Sequence, residues 1–139
     1  MTRPTVYVVG FLFSPDRERV LLMEKLRPDW MRGLLNGVGG HVHAGEVFAD
    51  AMAREFREEA GTGVSEWRQF AYLVIGQRAV IHCFKSFAEP AACPVTMTDE
   101  QVAWQKVSEI DVLPVVPNLR WLIPLALDAP TTTSVFQPE

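Results

Sequence analysis

The apolar positions of this chain fall into uninterrupted or alternating runs, which are typical of strands, and into two stretches with a helical period. Residues 5–13 form an almost unbroken apolar run, which indicates a strand buried on both faces. Further strands are predicted at residues 20–23, 67–75, 79–87 and 100–107. Prolines, glycines and polar residues predict loops at residues 25–34 and 89–98. The pattern therefore predicts a fold that mixes strands with helices.

Two helices are predicted from the 3.6-residue period of apolar positions. The first spans residues 46–60, and Gly61 or Gly63 can end it in the left-handed conformation. Its apolar stripe is predicted to consist of Phe48, Met52, Phe56 and Ala60, widened by Ala49 and Ala53. The second helix spans residues 119–127, where Pro124 either kinks the helix or sets its start.

Two further stretches have no regular period. Residues 36–40 hold three glycines, which predicts tight backbone lying close to another part of the molecule. Residues 128–139 are mostly polar, and we predict that this C-terminal stretch is loosely held.

Composition and charge narrow the class of protein. The chain has 139 residues, of which 48% are hydrophobic and 22% charged, so a single globular domain over residues 1–139 is expected. The formal net charge of −4 argues against binding to a long nucleic acid. No apolar stretch is long enough to span a bilayer, so no membrane partner is expected. Cys83 and Cys93 fit no metal or redox spacing and are expected to be free thiols, which suits a cytoplasmic protein.

The segment 40–62 carries the most specific chemical signal. Glu55, Glu58 and Glu59 follow i, i+3, i+4 spacing and converge on one helix face, where like charges repel. Glu59 falls almost inside the apolar stripe, so it needs either a cationic partner such as Arg54 or a metal ion. A hard cation such as Mg²⁺ takes oxygen ligands and favours phosphate substrates. The segment therefore predicts metal-assisted phosphate chemistry.

This segment resembles the Nudix box, G-x5-E-x7-R-E-U-x-E-E-x-G-U, in which U is a bulky aliphatic residue. All of its charged and glycine positions are filled, by Gly40, Glu46, Arg54, Glu55, Glu58, Glu59 and Gly61. Phe56 and Thr62 replace the aliphatic residues. The resemblance implies a Nudix α/β/α sandwich, in which a mixed β-sheet lies between helices and the box forms a loop–helix–loop motif.

The resemblance also implies a role for each matching residue. The metal-binding glutamates of the family correspond to Glu55, Glu58 and Glu59, and its cofactor is Mg²⁺, for which Mn²⁺ can substitute. The family's arginine, here Arg54, positions the catalytic carboxylates, and Glu46 supports the metal site. A backbone carbonyl of Gly39 or Gly40 completes the coordination. One of the clustered carboxylates can act as the general base that activates water.

The flanks of the box resemble the MutT-type subgroup, which hydrolyses oxidised purine nucleoside triphosphates. Residues 35–40 resemble its W-N-G-x-G-G segment, which assigns a base contact to Asn36, although a plain turn residue is an alternative. Residues 98–101 resemble its S-D-E-M segment, which places Glu100 near the metal and the attacking water, although a solvated strand end is an alternative.

Three further residues are candidates for substrate binding. Residues 116–119 resemble the subgroup's W-P-D-D segment but lack its tryptophan and acidic pair, which leaves Asn118 as a candidate base contact. Lys25 and His41 are candidates for contacting phosphate, with solvated surface positions as the alternative.

The leading hypothesis is Mg²⁺-dependent hydrolysis of a nucleoside triphosphate to a monophosphate and pyrophosphate. The first alternative keeps this chemistry on a dinucleotide or a nucleotide sugar, and the second is a Nudix-fold module that binds a ligand without turnover. The expected partner is a small nucleotide, and the sequence leaves a homodimer open.

Overall fold

The computed structural model describes residues 3–128 and 133–138. The strands of this part are β1 (Thr5–Phe13), β2 (Arg19–Glu24), β3 (Leu35–Asn36), β4 (Val38–His41), β5 (Arg68–Ile75), β6 (Ala79–Ser86), β7 (Val102–Lys106) and β8 (Thr133–Gln137). The α-helices are α1 (Phe48–Ala60) and α2 (Leu119–Asp128), and Asp29–Met31 and Val107–Glu109 are short 3₁₀ helices. No helix within the described ranges is both long and apolar enough to cross a membrane.

The sheet is mixed and centres on β1. One edge of β1 pairs in parallel with β6 over its whole length, from Thr5 with Ala79 to Leu12 with Ser86. Its other edge is shared, because β2 pairs with the end of β1 and β4 with its middle, both antiparallel. β3 pairs with β2, so the segment from β3 to β4 fills the fork between β1 and β2. This fork brings the glycine-rich backbone into the sheet, where the sequence predicted tight backbone close to another part of the molecule without identifying strands.

The two faces of β1 build two separate cores, as its unbroken apolar run predicted. One face packs against α2, and the core between them includes Val9, Phe11, Phe13, Leu119, Leu122 and Ile123. The other face packs against α1, and the core on that side includes Val8, Leu12, Leu21, Met52, Phe56 and Ala60. The sheet therefore lies between two helices, which confirms the predicted α/β/α sandwich.

Most predicted element boundaries hold within two residues. The first helix begins at Phe48 rather than at residue 46, and Gly61 ends it with a φ of 70°, as expected for a left-handed cap. The second helix begins at Leu119 and continues through Pro124, so the proline does not set its start. Glu100 precedes β7 instead of beginning it.

The prediction of a loosely held stretch over residues 128–139 is wrong for residues 133–137, while residues 129–132 and 139 lie outside the described part of the chain. These residues form β8, which pairs in parallel with β5 from Ala71 with Thr133 to Ile75 with Gln137. A polar stretch can form such an edge strand because the hydrogen bonds come from the backbone and only one side of the strand is paired.

The predicted apolar stripe of α1 is partly wrong. Phe48 is 39% exposed because its ring stacks on His82 of β6, with the ring centroids 3.7 Å apart, instead of entering the core. Ala49 is also exposed, and Ala51 is buried in its place. The core-facing side of the helix is therefore rotated toward Ala51 and Glu55.

Candidate active site

The side chain of Arg54 is the centre of the candidate site. Its Nε and Nη2 atoms donate to Glu46 at 2.8 and 3.0 Å, and Nη2 also donates to the carbonyl of His41 at 2.9 Å. Nη1 donates to Glu55 at 2.9 Å and to both carboxylate oxygens of Glu58 at 3.3 Å. One guanidinium thus joins the loop before α1, strand β4 and the helix itself.

Glu46 is held as a charged carboxylate. The Arg54 guanidinium first, and then the backbone N–H of His43 at 3.0 Å, lower the pKa of Glu46 to about 2. The same contact with Glu46 raises the pKa of Arg54. Both partners therefore remain ionised throughout the neutral range.

Glu55 is the most buried carboxylate of α1, with only 8% of its surface exposed. It packs against the backbone of Gly40 in β4, where a Cβ atom would lie 2.5 Å from the Glu55 carboxylate carbon. A Cβ at Gly39 would collide with the carbonyl oxygen of Val8. The predicted close approach of this glycine pair is confirmed, and the glycines make room for the acidic side chain.

Glu59 lies half-buried beside this group but does not share its arginine. Its carboxylate accepts a hydrogen bond from the hydroxyl of Thr98 at 3.0 Å. Burial first, and then the charges of Glu55 and Glu100, raise the pKa of Glu59, against the opposing effect of Thr98. The predicted alternative of an ion pair between Glu59 and Arg54 is therefore wrong, and Glu55 rather than Glu59 is the deepest carboxylate.

Glu100 is brought to the same region from the loop before β7. It is 5% exposed, which makes the predicted solvated strand end wrong. Its carboxylate accepts hydrogen bonds from the backbone N–H of Leu26 at 2.7 Å and from Lys25 Nζ at 3.0 Å. Burial alone would raise the pKa of Glu100, but these two donors outweigh it, and the pKa lies below its usual value.

The candidate base-binding residues lie in a separate part of the site. The side-chain oxygen of Asn36 accepts a hydrogen bond from the backbone N–H of Gly37 at 2.8 Å, and Asn36 itself pairs with Met23 of β2, so the alternative of a plain turn residue is wrong. Asn118 directly precedes α2. Leu35 pairs with the segment that leads to this helix, accepting a hydrogen bond from the N–H of Val116 at 2.9 Å. The fold therefore brings the two asparagines toward the same end of the sheet.

The two candidate phosphate contacts differ in their surroundings. Lys25 is already bonded to Glu100, and 17% of its side chain is exposed. The exposed His41 ring lies against Tyr7, with the ring centroids 4.7 Å apart. The structure thus gives His41 an accessible side chain and Lys25 a carboxylate partner.

Sequence reasoning assigned no role to Thr98, although this residue contacts Glu59. It also missed the backbone of His43, which supports Glu46. The signal for Thr98 was its position two residues before Glu100, within the segment that resembles S-D-E-M. A backbone donor such as His43 leaves no signal in the residue type.

The oxygen atoms that accept hydrogen bonds from Arg54 are of the kind that a hard divalent cation binds, because all of them belong to carboxylates or a backbone carbonyl. In residues 3–128 and 133–138, no three acidic, histidine or cysteine side chains yet converge as metal ligands. Arg54 Nη1 lies between Glu55 and Glu58, at 2.9 and 3.3 Å, and the carboxylate of Glu59 accepts a hydrogen bond from Thr98. The absent Cβ of Gly40 leaves room for the Glu55 carboxylate against β4, and this set of oxygen ligands fits a hard divalent cation.

Comparison with known proteins assigns the class. The model of the NUDIX domain family matches residues 1–125, so the chain belongs to the Nudix family. This is the domain of the Nudix hydrolases, enzymes that act on phosphoanhydride bonds, and structures of MutT proteins are among those that share its fold. Hydrolases of this family generally use divalent cations and bind small nucleotides.

Solved structures share the fold at low sequence identity. A MutT from Aliivibrio salmonicida or Vibrio cholerae is 23% identical, with a TM-score of 0.77 over 90% of this chain and 98% of that one. A MutT Nudix hydrolase from Burkholderia pseudomallei is 20% identical, with a TM-score of 0.75 over 94% and 100%. The Nudix domain of Shewanella oneidensis NrtR, complexed with ADP ribose, is 19% identical, with a TM-score of 0.79 over 92% and 89%. Among curated proteins, none matches this sequence.

Proposed function

We propose that this protein hydrolyses a nucleoside triphosphate, of the normal or oxidised kind handled by MutT-like enzymes, to the monophosphate and pyrophosphate. The observation that carries the proposal is the Arg54-centred group, in which one guanidinium holds Glu46, Glu55 and Glu58 beside the side-chain-free surface of Gly40. This concentration of carboxylates suits an enzyme that handles a polyphosphate together with a cation.

The cation we propose is Mg²⁺, with Mn²⁺ as a substitute, held by Glu55, Glu58 and Glu59 and by a backbone carbonyl of Gly39 or Gly40. When bound, the metal supplies charge neutralisation for the phosphate oxygens and acidifies water. Such a cation competes with Arg54 Nη1 for Glu55 and Glu58, which lie 2.9 and 3.3 Å from that nitrogen.

The protein's own groups then have distinct tasks. Arg54, anchored by Glu46 and by the carbonyl of His41, keeps the carboxylates of α1 oriented. One carboxylate of the cluster, with Glu100 beside it, accepts the proton of the attacking water as the phosphoanhydride bond breaks. If water attacks the α-phosphorus, pyrophosphate leaves with the electron pair of the broken bond and the nucleoside monophosphate keeps the oxygen of the water. If it attacks the β-phosphorus, the monophosphate leaves and pyrophosphate keeps that oxygen.

We propose substrate contacts for the remaining candidate residues of the site. Asn36 and Asn118 would meet the base; the Asn36 NH₂ group remains to donate because its oxygen already serves Gly37. His41 and Lys25 would approach the phosphates, Lys25 while retaining Glu100 as its carboxylate partner. We further propose a cytoplasmic location and leave a homodimer as a prediction from sequence.

A product assay with Mg²⁺ tests the reaction and the substrate class together. The panel contains normal and oxidised dNTPs, NTPs, ADP-ribose, NADH and a dinucleoside polyphosphate, and released pyrophosphate and monophosphate are quantified separately. Pyrophosphate from a triphosphate is the expected product. Faster turnover of diphosphate-linked compounds would instead assign the protein to that substrate class. The panel includes these compounds because the protein shares its fold with a domain complexed with ADP ribose.

Glu59→Gln tests the site assignment, since it keeps the shape of the side chain and removes its charge. We expect this variant to lose most of its turnover. Undiminished turnover of the variant would contradict the site assignment. If the wild-type protein formed no product from any compound in the panel, a module that binds a ligand without hydrolysing it would be favoured.

A further inference from the structure

The loop that precedes β7 lies against the C-terminal end of α1. We call residues 91–98 the strap. Two of its backbone N–H groups donate to carbonyls at the end of the helix, Val95 to Ala60 at 3.0 Å and Met97 to Glu59 at 3.3 Å. Two others donate to the residues after the helix, Ala91 to the carbonyl of Gly63 at 2.9 Å and Ala92 to Thr62 Oγ1 at 2.8 Å. Hydrogen bonds from four backbone N–H groups therefore fix the strap against the end of α1.

Thr98, at the end of the strap, makes a different kind of contact. Its hydroxyl donates to Glu59 Oε2 at 3.0 Å, and its oxygen accepts a hydrogen bond from the backbone N–H of Glu100 at 3.2 Å. One hydroxyl thus connects the carboxylate of Glu59, on the helix, with the backbone of Glu100, in the loop before β7. The hydroxyl hydrogen can serve one acceptor at a time, and Glu59 Oε2 at 3.0 Å is a closer, charged acceptor than the carbonyl of Glu100 at 3.5 Å, so the hydrogen is directed at Glu59.

We propose that Thr98 is a positioning residue, which fixes the orientation of the Glu59 carboxylate toward the cation and keeps it in register with Glu100. The inference rests on the proposed function, because it assigns Glu59 to the metal site. Partners that orient metal ligands typically contribute about 10–100-fold to metal affinity or activity. A glutamate has three rotatable bonds, so a fixed hydrogen bond at its end selects among many orientations.

The test measures binding of Mn²⁺ alone, by the electron paramagnetic resonance signal of the free ion, so no substrate has to be known. Thr98→Val keeps the side-chain shape and removes the hydroxyl, and we expect it to weaken Mn²⁺ binding about tenfold or more. Thr98→Ser restores a hydroxyl and should bind within about twofold of the wild type. Thr98→Ala removes the hydroxyl with a different packing change and should behave like Thr98→Val.

Thr96→Val is the matched control on the same strap. Thr96 is also exposed, and its hydroxyl accepts from the backbone N–H of Val102 at 3.0 Å rather than contacting a carboxylate. This variant should bind Mn²⁺ like the wild type, whatever its effect on the thermal midpoint. Equal weakening by Thr96→Val and Thr98→Val would overturn the inference, since it would indicate general loosening of the strap.

Two other outcomes separate this inference from the proposed function. Wild-type affinity in Thr98→Val, with Mn²⁺ bound normally by the wild type, would overturn the role of Thr98 and leave the proposed function intact. A wild-type protein without Mn²⁺ affinity would contradict the metal site itself and the inference with it.

Discussion

The guanidinium of Arg54 meets the carboxylate of Glu46 in a two-point contact, with Nε 2.8 Å from one oxygen and Nη2 3.0 Å from the other. The two residues are eight positions apart and belong to different segments, the loop after β4 and helix α1. Because a planar guanidinium matches a carboxylate with two parallel hydrogen bonds, the contact sets direction as well as distance. The remaining Nη1 atom is thereby aimed at Glu55 and Glu58.

Arg54→Lys should disable this arrangement although it preserves the charge. An ammonium group cannot donate in parallel to Glu46 and also reach Glu55, Glu58 and the carbonyl of His41. We expect turnover to fall about 10–100-fold and the free energy of unfolding to fall by about 1–3 kcal/mol, measured by kinetics and urea denaturation. Arg57→Lys, at an exposed position of the same helix, is the control. Equal behaviour of the two variants would contradict the role of Arg54.

Glu46→Gln should alter how stability depends on acid. The folded protein lowers the pKa of Glu46 from 4.5 to about 2, so its contribution to stability is fully present above pH 4.5 and is lost as the pH falls toward 2. The difference in unfolding free energy between the wild type and Glu46→Gln should therefore shrink over that interval. Urea denaturation at several pH values measures it, with exposed Glu89→Gln as the control. A difference that does not vary with pH would show that the charge is not responsible.

Gly40→Ala should displace Glu55. The new Cβ would lie 2.5 Å from the carboxylate carbon, so this buried side chain must move. A displacement of about 1 Å at a reacting centre can cost about 100-fold in rate, and overpacking costs about 1–3 kcal/mol of stability. The control is Gly63→Ala, where the new Cβ meets only the flexible end of Arg57 at 3.1 Å. Turnover and thermal unfolding are compared, and full activity of Gly40→Ala would argue against a fixed Glu55.

Lys25→Met should show that the ion pair between Lys25 and Glu100 stabilises the folded protein. The Glu100 side chain is only 7% exposed, so removal of the ammonium leaves a nearly buried charge with fewer donors. We expect unfolding free energy to fall by about 1–3 kcal/mol. Arg68→Met is the matched control: its pair with Glu66 is exposed on both sides and should contribute little to stability. Equal losses in the two variants would contradict this distinction.

The parts of the fold that sequence predicted well are those with strong local signals. The apolar run of β1, the period of α1 and the cap at Gly61 correspond closely to the structure. The signal failed where pairing depends on another strand: residues 133–137 form β8 through backbone bonds to β5, and the glycine-rich segment enters the fork of the sheet. Neither arrangement depends on a repeating side-chain pattern.

The same division applies to the candidate site. Spacing alone placed Glu55, Glu58 and Glu59 on one side of a helix, because helical geometry relates residues three and four positions apart. It did not determine which carboxylate is buried, since that depends on how α1 packs against Gly40. Nor could it assign Thr98 to Glu59, a contact that spans 39 positions of the chain.

The sequence by itself thus determined the class of chemistry, because the identity and spacing of the acidic, arginine and glycine residues lie within one continuous segment. Only the tertiary structure decided the pairing: Arg54 with Glu46, Glu55 and Glu58, Glu59 with Thr98, and Glu100 with Lys25. The physical reason is that charged groups select partners by distance and direction after the backbone has folded, whereas their residue types only limit which partners are allowed.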